Sequence, residues 1–169
     1  MIKYIKTFIL AVYAISFCGC FTVSVNMSGA KIHPDAQTFT VQDFVNNADD
    51  VQPNLALEMT EALRNKVEQT RLKLINGYGD INFQGEIVTY KVESQSVTAQ
   101  NVSSENRFTI GVRITYSNLL EPESDFEKVF SSYENFPGDQ SIEDVREEKT
   151  KLIMENIIDD IFKEAFVNW

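Results

Sequence analysis

The stretch NRFTIGVRITYSN, residues 106–118, sets the strictest condition on how this chain can fold. Phe108, Ile110, Val112, Ile114 and Tyr116 alternate with Arg107, Thr109, Arg113 and Thr115, so an extended strand separates them onto an apolar and a polar face. The apolar face must be covered, while the other meets water or a partner. The C-terminus supplies a cover. From Ser141 to Trp169 there is neither Gly nor Pro. Two adjacent stripes recur there at helical spacing: Ile153, Ile157, Ile161 and Ala165, beside Met154, Ile158, Phe162, Phe166 and Trp169. Ser141 stands as the N-cap, with Glu143 and Asp144 in the first turn, where the helix dipole favours acids. So broad an apolar face belongs against a sheet.

The remaining segments fit around this pair. QTFTVQDF, residues 37–44, alternates like a strand, and Pro53 is placed to open a helix. Leu55, Met59, Ala62, Leu63 and Val67 then form one helical face, to about Thr70. LKLI at 72–75 reads as a short strand before the turn NGYGD, whose glycines permit positive φ. Ile81 to Val92 reads as a longer strand whose apolar phase changes between Phe83 and Val88; Gly85 sits at the change and predicts a bulge there. Residues 93–105 read as an exposed hairpin loop, LEPESDF as an acidic connection, and FEKVFSSY as a returning strand. The element order predicts an α+β domain with two helices packed on one face of a mostly four-stranded sheet, without internal repeats.

The N-terminus reads as an export signal: Lys3 and Lys6 precede an uncharged apolar stretch from about Thr7 to Phe17, with Gly19 just before Cys20. A helix of that stretch is roughly 16 Å long, well short of the ~30 Å core of a bilayer. A small residue followed by Cys resembles a bacterial lipoprotein signal, which predicts cleavage before Cys20 and a diacylglycerol thioether plus an acyl chain on it. Phe17 and Cys18 depart from the usual pattern; Cys18 is the competing site, disfavoured by the bulk of Phe17, and a disulfide or free thiol is the remaining alternative. The expected organisation is a signal peptide over 1–19, a lipidated tether over 20–35 and one domain over 36–169. Removal of the signal takes Lys3 and Lys6 with it and moves the formal net charge from −10 to −12. Such a charge disfavours nucleic acid and anionic membrane surfaces as direct partners, so the lipid must do the anchoring.

Catalytic constellations do not assemble from these residues. His33 is the one histidine, and without a second His or a further Cys neither a zinc cluster nor a Cys/His dyad can be built. Asp49, Asp50, Glu121, Glu123, Asp125 and Glu127 read as solvated loop acids, lacking the spacing and turn glycine of a calcium loop. Gly77 and Gly79 lack the continuation of a phosphate-binding loop, and Asn101-Val102-Ser103 is a chance-prone glycosylation pattern. Trp169 and the aromatic stripe read as packing. One surface feature stands out: Arg107 and Arg113 share a face, and Lys91 joins them if 81–92 pairs with their strand, giving a candidate anion site whose alternative is ordinary cross-strand pairing with acids.

Several blocks in order, FTVQDF, QPNLALEMTEALRNKV, GDINFQGEIVTY, NRFTIGVRITYSN, DFEKVFSSYENF and NIIDDIFKEAFVNW, resemble the LptE family of lipopolysaccharide-assembly lipoproteins, in a divergent branch. The resemblance spans about Ser28 to Trp169. It implies a non-enzymatic α+β lipoprotein on the periplasmic side of the outer membrane that plugs the LptD β-barrel, helps it assemble and assists delivery of lipopolysaccharide to the cell surface. It implies no cofactor beyond the lipid on Cys20. Phe21 after Cys20 is not the Asp that retains lipoproteins at the inner membrane, which agrees with that location. Contact of lipid A phosphates with Lys91, Arg107 and Arg113 is an expectation from their shared face, not from the family. The competing expectations are a free-standing periplasmic ligand-binding lipoprotein and an accessory subunit of an ABC-type exporter.

Overall fold

The computed structural model describes residues 31–49, 52–95 and 105–167. In chain order these form β1 (Thr38–Val41), β2 (Val45–Asn46), helix α1 (Leu55–Glu68), β3 (Lys73–Leu74), β4 (Ile81–Gln95), β5 (Glu105–Asn118), a 3-10 turn (Pro122–Ser124), β6 (Phe126–Pro137) and helix α2 (Ile142–Phe166). The six strands make one mixed sheet ordered β3-β1-β4-β5-β6, with β2 continuing the line of β1 along β4. β1 runs parallel to both β3 and β4, and β4, β5 and β6 form an antiparallel meander. The expected α+β class holds, and β3 falls within the short strand expected at 72–75; the extra strand is β2, whose two residues are too few for a periodic signal.

The alternation of β5 translates directly into burial. Phe108, Ile110, Val112 and Ile114 are fully buried and Tyr116 nearly so, on the face that carries both helices. α2 contributes Ile153, Ile157, Ile158, Ile161, Phe162 and Phe166 to the same core, and α1 contributes Leu55, Met59, Leu63 and Val67. The helices meet through Lys66, whose Nζ lies 2.7 Å from Asp159 and 5.5 Å above the Phe162 ring. At the end of α2, Phe166 sits edge-on to Phe83 and Tyr116, and Tyr116 stacks on Phe126 at 5.0 Å. Burial pushes the Tyr116 phenol up to about 12.

Two expectations need correction. The irregularity in β4 lies at Val88, where Ile87 faces Val112 but Thr89 already faces Gly111, and not at Gly85. Inward residues run Ile81, Phe83, Gly85 and Ile87 before the extra residue and resume at Tyr90 after it. Gly85 is there for a different reason: a Cβ on it would overlap the Phe44 ring, which occupies the space a side chain would need. The hairpin is also longer than the expected 93–105 loop allows, since pairing continues to Gln95 opposite Glu105; residues 96–104, including Asn101, lie outside the described part.

Other details follow the expected chemistry. Ser141 caps α2, its Oγ accepting from the Glu143 amide at 3.3 Å and donating to the Glu143 carboxylate. Gly77 takes φ of 106°, and Gly79 lets the turn approach the Phe39 backbone, with a Cβ there only 3.1 Å from it. Residues 31–35 lie against the domain: the Lys31 amide donates to the Phe166 carbonyl at 2.6 Å, and Arg71 donates to the carbonyls of His33 and Ala36. Cys18, Cys20, Asp50 and Trp169 lie outside the described residues.

Candidate functional site

Both helices lie on one side, and among the described residues nothing covers the other side of β4, β5 and β6. Strand pairing arranges it in rungs: Glu86, Arg113 and Val129; Thr89, Gly111 and Ser131; Lys91, Thr109 and Tyr133; Glu93, Arg107 and Asn135. The Thr89 rung is low because Gly111 has no side chain and a Cβ on it would already press on Thr89 at 3.1 Å. Charged rungs flank it. Val129 and Tyr133 are about half exposed on this face.

The structure therefore puts Lys91, Arg107 and Arg113 on one face. Lys91 and Arg107 occupy neighbouring rungs, whereas Arg113 is six residues from Arg107 along β5, about 20 Å. Each cation is already engaged. Arg113 pairs with Glu86 and approaches Glu127 at 3.8 Å; Arg107 lies 4.1 Å above the Tyr133 ring and donates to Asn135 Oδ1; Lys91 pairs with Glu93 at 3.0 Å. Hydrogen bonds from Asn47 and Arg113 hold the Glu86 carboxyl below the usual carboxylate range. The face is thus locally balanced in charge; an open hollow of about 250 Å³ beside Arg113, lined by Asn47, Glu86 and Thr115, interrupts it, and the breadth of the face suits an extended partner surface.

His33 serves a local turn, its Nδ1 accepting from the Asp35 amide at 3.3 Å. Among the described residues no three His, Cys, Asp or Glu side chains group to hold a metal. A concavity of about 740 Å³ forms a groove between α1 and α2 bordered by Glu58, Glu61, Glu143 and Glu147, with Arg146 and Thr150 at its side.

Sequence reasoning missed two polar residues that set this geometry. Asp80 Oδ2 accepts from the Gln37 amide, the Thr38 amide and the Thr38 hydroxyl at 2.8–2.9 Å, tying β1 to the start of β4. Those donors hold its carboxyl below the usual range. Arg64 joins α1 to the end of β1, donating to the Val41 carbonyl and to Asp43, both at 2.8 Å. Asp80 and Thr38 are 42 residues apart, Arg64 and Val41 23 apart, so no local pattern could have revealed them.

Fold and face together define a small two-layer α+β domain presenting an open sheet surface. More particularly, the chain belongs to the LptE family of lipopolysaccharide-assembly proteins, whose model matches residues 36–165. It is thus a membrane-associated envelope protein of lipopolysaccharide assembly, a family of lipoproteins and not of enzymes. Among solved structures it is similar to a minor lipoprotein from Acinetobacter baumannii, with a TM-score of 0.51 and 6% identity over 76% of this chain and 91% of that one. It is also similar to the hypothetical protein CT253 from Chlamydia trachomatis (TM-score 0.48, 10% identity, 79% and 99% covered). A third is rare lipoprotein B from Shewanella oneidensis (TM-score 0.42, 12% identity, 74% and 89% covered). The first of these likenesses shows the fold and nothing more. No curated protein matches the chain.

Proposed function

We propose that this chain is the lipoprotein subunit of an outer-membrane lipopolysaccharide translocon, seated in the lumen of an LptD-type β-barrel on the periplasmic side. There it plugs the barrel, assists its assembly and helps deliver lipopolysaccharide to the cell surface. The observation carrying this reading is the family match across nearly the whole folded domain, residues 36–165. The open sheet face supports it, because a luminal subunit needs an extended polar surface with its charges already paired. Anchoring is by diacylglycerol and an acyl chain on Cys20. Lipid A phosphates would meet the domain at Lys91, Arg107 and Arg113, exchanging with the acids that now hold those cations.

The first test is a mild-detergent pull-down of the tagged full-length chain from envelopes, with partners identified by mass spectrometry. Recovery of one large β-barrel protein in near-equal amount is the expected result. Recovery of the chain alone, or with inner-membrane transporter subunits, overturns the plug. The phosphate contact falls separately if the triple variant K91A/R107A/R113A binds lipopolysaccharide with unchanged affinity.

A further inference from the structure

β6 ends the sheet, and among the described residues no strand pairs with its outer side. Along its twelve residues every second one turns its backbone donor and acceptor to that side, a ready template for another strand. α2 follows β6 closely underneath, running antiparallel: Lys128 meets Glu164 at 2.8 Å, Ser132 meets Asn156 at 3.4 Å and Glu134 meets Lys149 at 3.9 Å. A groove of about 380 Å³ lies along this edge, with Lys128, Phe130, Asp160 and Lys163 in its wall.

Pairing with β5 fixes which β6 side chains point to the helix side: Phe126, Lys128, Phe130, Ser132, Glu134 and Phe136, opposite the buried face of β5. Charges turned inward on an edge strand normally guard it, because an incoming strand must answer each of them. Here any such strand must answer a cation at 128 and an anion at 134. β6 itself does so. An antiparallel copy centred on Ser131 sets Lys128 against Glu134, Glu134 against Lys128, Val129 against Tyr133 and Phe126 against Phe136. Moving the centre to Phe130 faces Lys128 with Ser132 and Glu134 with Phe126; moving it to Ser132 faces Lys128 with Phe136 and Glu134 with Phe130. A one-residue slip puts the two inner faces on opposite sides. One register alone answers both charges.

We propose that β6 is a homotypic docking edge, on which a second copy of this chain adds its own β6 antiparallel about a two-fold axis at Ser131. The pairing makes one continuous sheet and links Lys149, Glu134, the other copy's Lys128 and its Glu164 in an alternating charge chain. It is a property of the chain when no barrel holds it, and does not depend on the translocon reading.

The test uses single cysteines in the full-length chain, exported and extracted in mild detergent, on the fraction free of barrel protein, with the wild type as control for its own cysteines. On oxidation, Ser131→Cys is expected to give a disulfide-linked homodimer by itself. Val129→Cys and Tyr133→Cys are expected to give none alone but a mixed dimer when combined. Light scattering should read twice the chain mass for wild type and the single chain mass for Ser131→Lys, which sets two cations face to face without changing the circular dichroism. Monomeric wild type overturns the proposal, whether the thiol introduced by Ser131→Cys is blocked to maleimide, as when residues 1–30 or another protein cover the edge, or open to it. Cross-linking of all three single variants alike also overturns it, since that is association without a register.

Discussion

Gly85 shows how one residue can be read correctly as special and wrongly as to why. Its inward-facing position is filled by the Phe44 ring, which belongs to the irregular segment between β1 and β2. Gly85→Ala is expected to lower stability by about 1–3 kcal/mol through overpacking. Chemical denaturation would measure this, and Phe44→Leu in the same chain should recover part of the loss. Asp80 carries a pH signature. Its carboxyl is held below its usual range by the Gln37 and Thr38 donors, so the folded state binds that proton more weakly than the unfolded state. Its contribution to stability is therefore complete above the ordinary Asp range, near 3.9, and is lost as pH falls through the lowered value. Melting temperatures of wild type and Asp80→Asn should differ at neutral pH and converge in acid; a constant difference across that range would show that the carboxylate charge is irrelevant.

Among the elements, α2 was the most legible and β4 the least. The helix needs only its own period: Ile153, Ile157 and Ile161 fall on the buried side whatever they pack against, and Ser141 caps it through a contact two residues away. Ile157→Ala is expected to cost about 2–5 kcal/mol, whereas Leu152→Ala in the same helix, 38% exposed, should cost under about 0.5 kcal/mol. Equal losses by denaturant titration would mean that the face assignment is wrong. β4 depends on its neighbours. Its phase slips at Val88 because β5 supplies one residue fewer there, and the alternation recorded the slip without locating it. Thr60 makes the same point in α1: it is buried, accepting from the Phe44 amide and donating to the Ala56 carbonyl, though the apolar pattern passes over it.

For the whole molecule, the formal charge of −12 expected after signal removal disfavours direct attachment to an anionic membrane, and we propose a lipid on Cys20 as the anchor. Labelled palmitate should enter wild type and Cys18→Ser but not Cys20→Ser; label retained in the last would move the anchor to Cys18. Class, layer arrangement and family blocks were legible in the sequence because they rest on periods of two and 3.6 residues and on ordered local segments, which a linear chain records. The candidate face was legible only by halves: alternation put Arg107 and Arg113 together on one side of β5. Glu93 holds Lys91 from two residues away on the same strand, but that Glu86 and Tyr133 hold Arg113 and Arg107 followed from strand register, which fixes cross-strand neighbours far apart in sequence. The sequence by itself thus determined which side of β5, α1 and α2 is buried, since that is a property of single-segment geometry. The tertiary structure alone decided where the bulge falls, why Gly85 is a glycine, that Asp80 ties β1 to β4 and that β6 is left as the edge, because each depends on which segments become neighbours once the core closes.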